Sequence, residues 1–185
     1  MAGPFPAHAP GSDHARGKGR DPVTGTGPVL IALDGSSSAV HALRVAAELM
    51  APRPGLVVVV WEAGVAFDLA TIPSAGLEPP PAQLDLRAAA DLDQADYAAA
   101  QQMARHGAAI ARSHGMPADA LVVADEMTVS DTLIRVATET NAGTVVVGRH
   151  GHSALYHVLL GSTAKDLLER APCPVLVVRH PERKS

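Results

Sequence analysis

The sequence predicts an α/β domain in which a parallel β-sheet is covered by helices on both faces. Five short apolar runs alternate with segments of helical periodicity. The runs are apolar throughout instead of alternately polar, as expected of strands buried on both faces. The chain is 47% hydrophobic but only 3% aromatic, so its core must be built from Val, Leu, Ile and Ala. At 185 residues it is long enough for one well-buried domain and too short for two ordinary ones.

Residues 1–27 are rich in Gly, Pro, Ala and His and show no apolar period. Such a segment cannot bury enough surface to offset its ordering entropy, so a disordered tail is expected. The folded domain is expected over 28–180, followed by a short tail at 181–185. Val29-Leu30-Ile31-Ala32-Leu33 reads as the first strand and ends at Asp34-Gly35-Ser36, whose polar residues suit a helix cap. The helix that follows has Val40, Leu43, Ala47 and Met50 on one face.

The breaker Pro52-Arg53-Pro54-Gly55 separates this helix from a second strand, Leu56 to Trp61. From Ala63 to about Arg87 no period is visible, and Glu78-Pro79-Pro80-Pro81 cannot lie inside a helix. A connection of this length is expected to be a lid, a binding loop or a disordered excursion. A long helix follows, with Leu92, Ala95, Ala99, Met103, Gly107 and Ile110 at spacings of three and four.

The third strand is Ala120 to Ala124, followed by a shorter helix with Leu133, Val136 and Ala137. The fourth is Thr144 to Val147 and the fifth Val175 to Val178, with a helix carrying Ala164, Leu167, Leu168 and Ala171 between them. Crossovers in such a sheet are right-handed. Open sheets of this kind take ligands outside the C-terminal strand ends, where strand order reverses. Functional loops should therefore follow the first, second or fourth strand.

The formal charge of -4 and pI near 6.1 give no overall attraction to nucleic acid or anionic membrane, and neither partner is expected. Cys173 is the only cysteine. Its setting between prolines and apolar residues reads as a small buried side chain in a reducing compartment. No apolar run follows Arg16, Lys18 and Arg20, and none approaches bilayer length, so a cytoplasmic location is expected.

The chemistry lies in Val147-Gly148-Arg149-His150-Gly151 and in Leu160-Gly161-Ser162-Thr163. Glycines at 148 and 151 let the backbone turn its amides toward one point. Gly161 and Ser162 stand at a predicted helix N-terminus, where unpaired N–H groups and the helix dipole favour an anion. This is not a Walker loop, since Gly-Lys-[Ser/Thr] is missing.

The spacing Gly148-x2-Gly151-x9-Gly161-Ser162 resembles the nucleotide-binding signature of the universal stress protein family. The resemblance runs from residue 28 to 179 and includes Val29–Ser36, Leu159-Leu160-Gly161-Ser162 and Ala171-Pro172-Cys173-Pro174 with the strand after it. It implies an open five-stranded parallel sheet of order 3-2-1-4-5, of the adenine nucleotide alpha hydrolase-like kind. It also implies a regulatory module of the stress response that binds ATP or AMP, with Mg2+ accompanying ATP. A homodimer through the last strand is implied as well.

Carried over by position, Asp34 is implied to meet ribose or adenine, with Ala32 and Leu33 beside it. Val60 is implied to meet the adenine ring through its backbone, and Val147 to pack nearby. Gly148, Gly151, Gly161, Ser162 and Thr163 are implied to surround the phosphates, and Arg149 could add a positive charge. Two positions depart from the family's pattern. Met127-Thr128-Val129 stands where Gly-x-Pro is common, and Ala164 stands where a second hydroxyl is common. Both weigh against tight triphosphate binding and leave the fold untouched.

Other readings stand beside these. Asp34 can simply cap the first helix, and Arg149 can be a solvent-facing charge. His150, His152 and His157 do not share a helical face, so a solvated loop is expected there and no metal site. Met103 and Trp61 read as packing residues, and Asp125-Glu126 as a solvated strand-end loop. No nucleophile has a nominated base, so no dedicated enzyme is expected, and weak ATP hydrolysis would have no named base for the water. A nucleotide-free dimeric interaction protein of the same fold is the alternative. An adenylating enzyme is disfavoured because Ser-Gly-Gly-x-Asp-Ser does not follow the first strand.

Overall fold

The computed structural model describes residues 26–62, 83–125, 127–151 and 160–180. Its strands are β1 (Val29–Ala32), β2 (Gly55–Trp61), β3 (Ala118–Ala124), β4 (Thr144–Gly148) and β5 (Val175–Val178). The described helices are α1 (Ser37–Met50), α2 (Gln83–Ser113), α3 (Val129–Glu139) and α4 (Ser162–Arg170). Residues 1–25 of the expected 1–27 tail, most of the Ala63 to Arg87 connection and residues 181–185 lie outside the described residues.

All five strands are parallel, in the order β3-β2-β1-β4-β5. Alternate strand residues feed two apolar layers. Val29, Ile31, Val57 and Val59 pack against Leu43, Ala46, Ala104 and Ala108 of α1 and α2. Leu30, Val58, Val145 and Val147 pack against Leu133, Val136 and Leu167 of α3 and α4. Each face of the sheet is thus sealed by two helices, which is why the strands carry no polar alternation.

Helix α1 starts where the serines predicted it. Ser36 Oγ accepts the Ala39 N–H at 3.1 Å as a side-chain cap. Its buried face is Ala39, Ala42, Leu43, Ala46 and Ala47, with Val40 and Met50 only partly covered.

Two readings of α2 need correction. The helix begins at Gln83, so Gln83–Arg87 continues it into a stretch whose prolines predicted irregular chain. The predicted face holds over its second half, where Gly107 is buried and Met103 and Ile110 pack against the core, but fails at Leu92, Ala95 and Ala99. Ala100, Ala104, Ala108 and Ala111 are buried, whereas Ala95 and Ala99 are exposed and Leu92 is 58% exposed. Small Ala side chains let α2 lie close to the sheet, and the turns around Leu92 extend beyond the part that the strands cover. Leu168 of α4, one of the apolar residues that marked this helix in the sequence, is 53% exposed.

Met103 and Trp61 pack against the first layer as expected, and the Trp61 ring lies 5.2 Å from that of Tyr97. Cys173 is half-buried in the second layer, and burial pushes its thiol pKa up, away from thiolate chemistry. Among the described residues no helix is long and apolar enough to cross a membrane.

Candidate functional site

Strand order reverses between β1 and β4. Their pairing ends at Ile31 and Val146, after which β1 stays with β2 and β4 with β5. The two strand ends therefore part, and a cleft of about 550 Å³ opens between them. That is the position and size at which open α/β sheets take small ligands.

One end of the cleft is apolar. Ala32, Leu33, Val60 and Val147 line it, as the sequence suggested. Val58, Val129 and Leu133 join them and were not singled out beforehand. Val58 shares a sheet face with Val60 two residues on, so the strand period could have found it, whereas the helix period puts Val129 and Leu133 on one face of α3 without saying that this face meets the cleft. Asp34 and Glu62 put carboxylates at the ends of β1 and β2, and both line the cleft. Glu62 was missed, although it follows its strand as directly as Asp34 follows β1.

Asp34 serves the turn as well as the cleft. Its Oδ1 accepts the Ser36 N–H at 2.9 Å, while Gly35 takes a positive φ of 82°. The helix cap itself is Ser36. The other oxygen, Oδ2, lies only 2.7 Å from where a Cβ on Gly151 would stand. A side chain at 151 would thus displace the carboxylate.

The turn after β4 brings Gly148, Arg149 and Gly151 to the cleft. Gly148 is buried, and a Cβ there would lie 2.9 Å from the Ser38 carbonyl carbon and 3.0 Å from the Ala39 nitrogen. Glycine is what lets this strand end touch the backbone of α1. Arg149 is half-buried, and its N–H donates to Val178 O at 2.9 Å.

Facing this turn is the start of α4, with Gly161, Ser162, Thr163 and Ala164 on the cleft wall. Gly161 is the N-cap and supplies no side-chain cap. By contrast, Ser36 caps α1 and Thr128 caps α3 through their hydroxyls. The first-turn amides of Ser162, Thr163 and Ala164 have no intrahelical acceptor. The Gly161 amide is a correction to the expected cradle: it donates to Arg149 O at 3.0 Å. That bond staples the two glycine turns together, so at this helix start the donors left are the amides after Gly161.

Behind this wall, α3 and α4 meet through polar groups. Thr128 Oγ1 accepts the Asp131 N–H at 3.1 Å and donates to Asp131 Oδ2 at 2.6 Å. Ser130 Oγ donates to Asp166 Oδ2 at 2.9 Å, and Arg170 pairs with Asp131. The Thr128 hydroxyl, and after it Arg170, hold the Asp131 carboxyl below the usual carboxylate range. Asp125 is less solvated than expected, since Oδ1 accepts the Thr132 hydroxyl at 3.1 Å and the Met127 N–H at 3.3 Å. Glu126, His152 and His157 lie outside the described residues. Among the described residues no three His, Cys, Asp or Glu side chains are grouped to hold a metal.

Comparison with known proteins agrees with this architecture. A segment of 55 residues is 34% identical to universal stress protein MJ0531 of Methanocaldococcus jannaschii, covering 30% of this chain and 32% of that protein. That match spans about a third of the curated relative's length. A solved structure of a universal stress protein family member from Burkholderia pseudomallei is 26% identical. It superposes with a TM-score of 0.54, covering 85% of this chain and 98% of that one.

Two further structures share the fold. An Arabidopsis thaliana family member with AMP bound gives a TM-score of 0.57 at 14% identity, covering 84% of this chain and 92% of that one. The Archaeoglobus fulgidus universal stress protein in complex with dAMP gives 0.51 at 20%, covering 81% and 95%. The model of the universal stress protein family matches residues 25–179, which takes in every described strand. This chain belongs to the universal stress protein family.

Proposed function

We propose that this chain binds an adenine nucleotide in the cleft between β1 and β4 and acts as a regulatory module of the cytoplasmic stress response. The observation that carries the reading is the uncapped first turn of α4, which faces the glycine turn at one end of a slot whose other end is apolar. A helix start of that kind favours a phosphate, and the apolar end favours a purine ring. Relatives of the same fold hold AMP and dAMP. In this reading Val58, Val60, Val129 and Leu133 flank the base, Asp34 accepts ribose hydroxyls, and the amides of Ser162 to Ala164 hold the phosphate nearest the ribose.

ATP places more charge in the same cleft. Among the described residues the charged side chains lining it are Asp34, Glu62 and Arg149, which do not balance a triphosphate. A Mg2+ ion would be held mainly by the phosphates and water, as that cation commonly is. ATP is therefore expected to bind better with Mg2+ than without, and AMP to be indifferent to it. The role proposed is binding and signalling, with no dedicated catalysis.

Calorimetric titration tests this. AMP is expected to bind roughly 10-fold or more tighter than adenosine, since charge-assisted phosphate contacts supply the difference. Failure of AMP, ATP and Mg-ATP to bind, with no nucleotide co-purifying by native mass spectrometry, would leave a nucleotide-free interaction protein as the reading.

A homodimer belongs to the same proposal. β5 is an outer strand of the sheet, and its Val175, Leu176 and Val177 are only half-buried. Such an edge needs cover. Light scattering should give twice the 19.0 kDa chain mass; a monomer at high concentration overturns this.

A further inference from the structure

We propose that Ser130 and Asp166 are positioning residues that set the rotation of α4 and thereby aim its first-turn amides into the cleft. The inference rests on the nucleotide reading above and adds a device behind the phosphate end. Helix α4 is nine residues long, and its buried residues are only Ala164 and Leu167. Those two contacts fix how deep a short helix lies, and the Arg170–Asp131 pair ties only its last turn, so the first turn needs a brace of its own. Its N-cap is a glycine with no side chain to brace the first turn.

The brace comes from α3. Ser130 is 3% exposed and donates its hydroxyl to Asp166 Oδ2 at 2.9 Å. The oxygens of Thr128 and Ser130 lie 3.0 Å apart, and Thr128 Oγ1 accepts the Asp131 N–H, so Ser130 sits on a capped and rigid turn. Val129 lines the cleft from that same turn, and Ala164 lines it two residues before Asp166 on α4. The α3 start therefore touches the cleft and fixes the helix whose N–H groups face it. Hydrogen-bond energy falls steeply with misalignment, so a small roll of α4 would weaken all of its first-turn donors together.

Thr128, at the middle position of Met127-Thr128-Val129, is the α3 cap, and the capped turn presents Ser130 to Asp166.

The test is calorimetric titration of the full chain and of Ser130→Ala, Asp166→Ala and Asp166→Asn with AMP and with adenosine, alongside thermal melts. Ser130→Ala and Asp166→Ala should each weaken AMP by roughly 5- to 10-fold, the value of one well-formed hydrogen bond, and adenosine by less than about 2-fold. Asp166→Asn keeps an acceptor for the Ser130 hydroxyl and should restore AMP binding to within about 2-fold of the parent. Equal losses for AMP and adenosine, or unchanged AMP affinity in folded variants, overturn the positioning role. A parent protein that binds AMP no better than adenosine overturns the nucleotide reading itself, and the positioning role with it.

Discussion

Gly148→Ala is expected to destabilise the protein by about 3 kcal/mol and lower its melting temperature by roughly 6–12 °C. The new Cβ would stand 2.7 Å from Ser38 Oγ, 2.9 Å from the Ser38 carbonyl carbon and 3.0 Å from the Ala39 nitrogen. A side-chain oxygen can swing away, but the backbone of a capped helix cannot. Gly148 is also held in register by Val178, so β4 cannot retreat without dragging β5. Relief has to come from lifting α1, and with it Ala39, Ala42 and Leu43, off the first apolar layer.

A companion substitution separates the two obstacles. Ser38 Oγ is buried and has no hydrogen-bond partner among the described residues. Ser38→Ala alone should therefore be neutral or stabilise by up to about 1 kcal/mol, because it removes an unsatisfied buried hydroxyl. Combined with Gly148→Ala it should recover less than half of the loss, since the main-chain collision remains. Thermal unfolding followed by circular dichroism reads both. A melting temperature for Gly148→Ala within about 2 °C of the parent would mean that α1 does not rest on the end of β4.

The sheet was legible because strands sealed on both faces need no polar residue, and runs such as Leu30–Leu33 and Val57–Val60 stand out against any background. Their spatial order was not legible from periodicity, which identifies strands but not neighbours; it entered through the resemblance of the glycine signature. The α2 stripe shows the opposite failure. Leu92 outweighs Ala in hydropathy and drew the start of the predicted face toward itself, yet Leu92 is exposed, and Ala100, Ala104 and Ala108 carry the packing together with the predicted Met103, Gly107 and Ile110.

In the site, the residues grouped by the signature do meet around one cleft. What escaped depends on tertiary placement. Val129 and Leu133 reach the cleft only because α3 crosses the sheet there. The Gly161 amide is spent on Arg149 O, a bond between two turns that no local pattern encodes.

Gly161→Asp should raise or preserve stability and abolish phosphate recognition, a combination that few substitutions can produce. Gly161 has φ -66° and ψ 153°, extended values open to any residue. Among the described residues a Cβ there meets only Arg149 O, at 3.3 Å, and His150 Cα, at 3.8 Å, so a shift of a few tenths of an ångström makes room. An Asp N-cap accepts one of the first-turn N–H groups and is worth about 0.3 kcal/mol over glycine before that shift is counted. The melting temperature should stay level or rise by about 1 °C.

The same carboxylate would occupy the space proposed for the phosphate. Two unit negative charges about 4 Å apart repel by about 4 kcal/mol at the effective dielectric of a protein surface. AMP affinity should fall by about 100-fold or more, whereas adenosine, which carries no charge, should bind within about 3-fold of the parent. Gly161→Asn separates charge from occupancy, because it caps the helix without the negative charge. Its AMP loss should be intermediate, near 10-fold, the value of one displaced amide contact to a charged group. If Gly161→Asp melts at or above the parent temperature and still binds AMP within about 3-fold of it, the anion does not sit at the start of α4. The helix would then lack a cap for a reason unrelated to ligand.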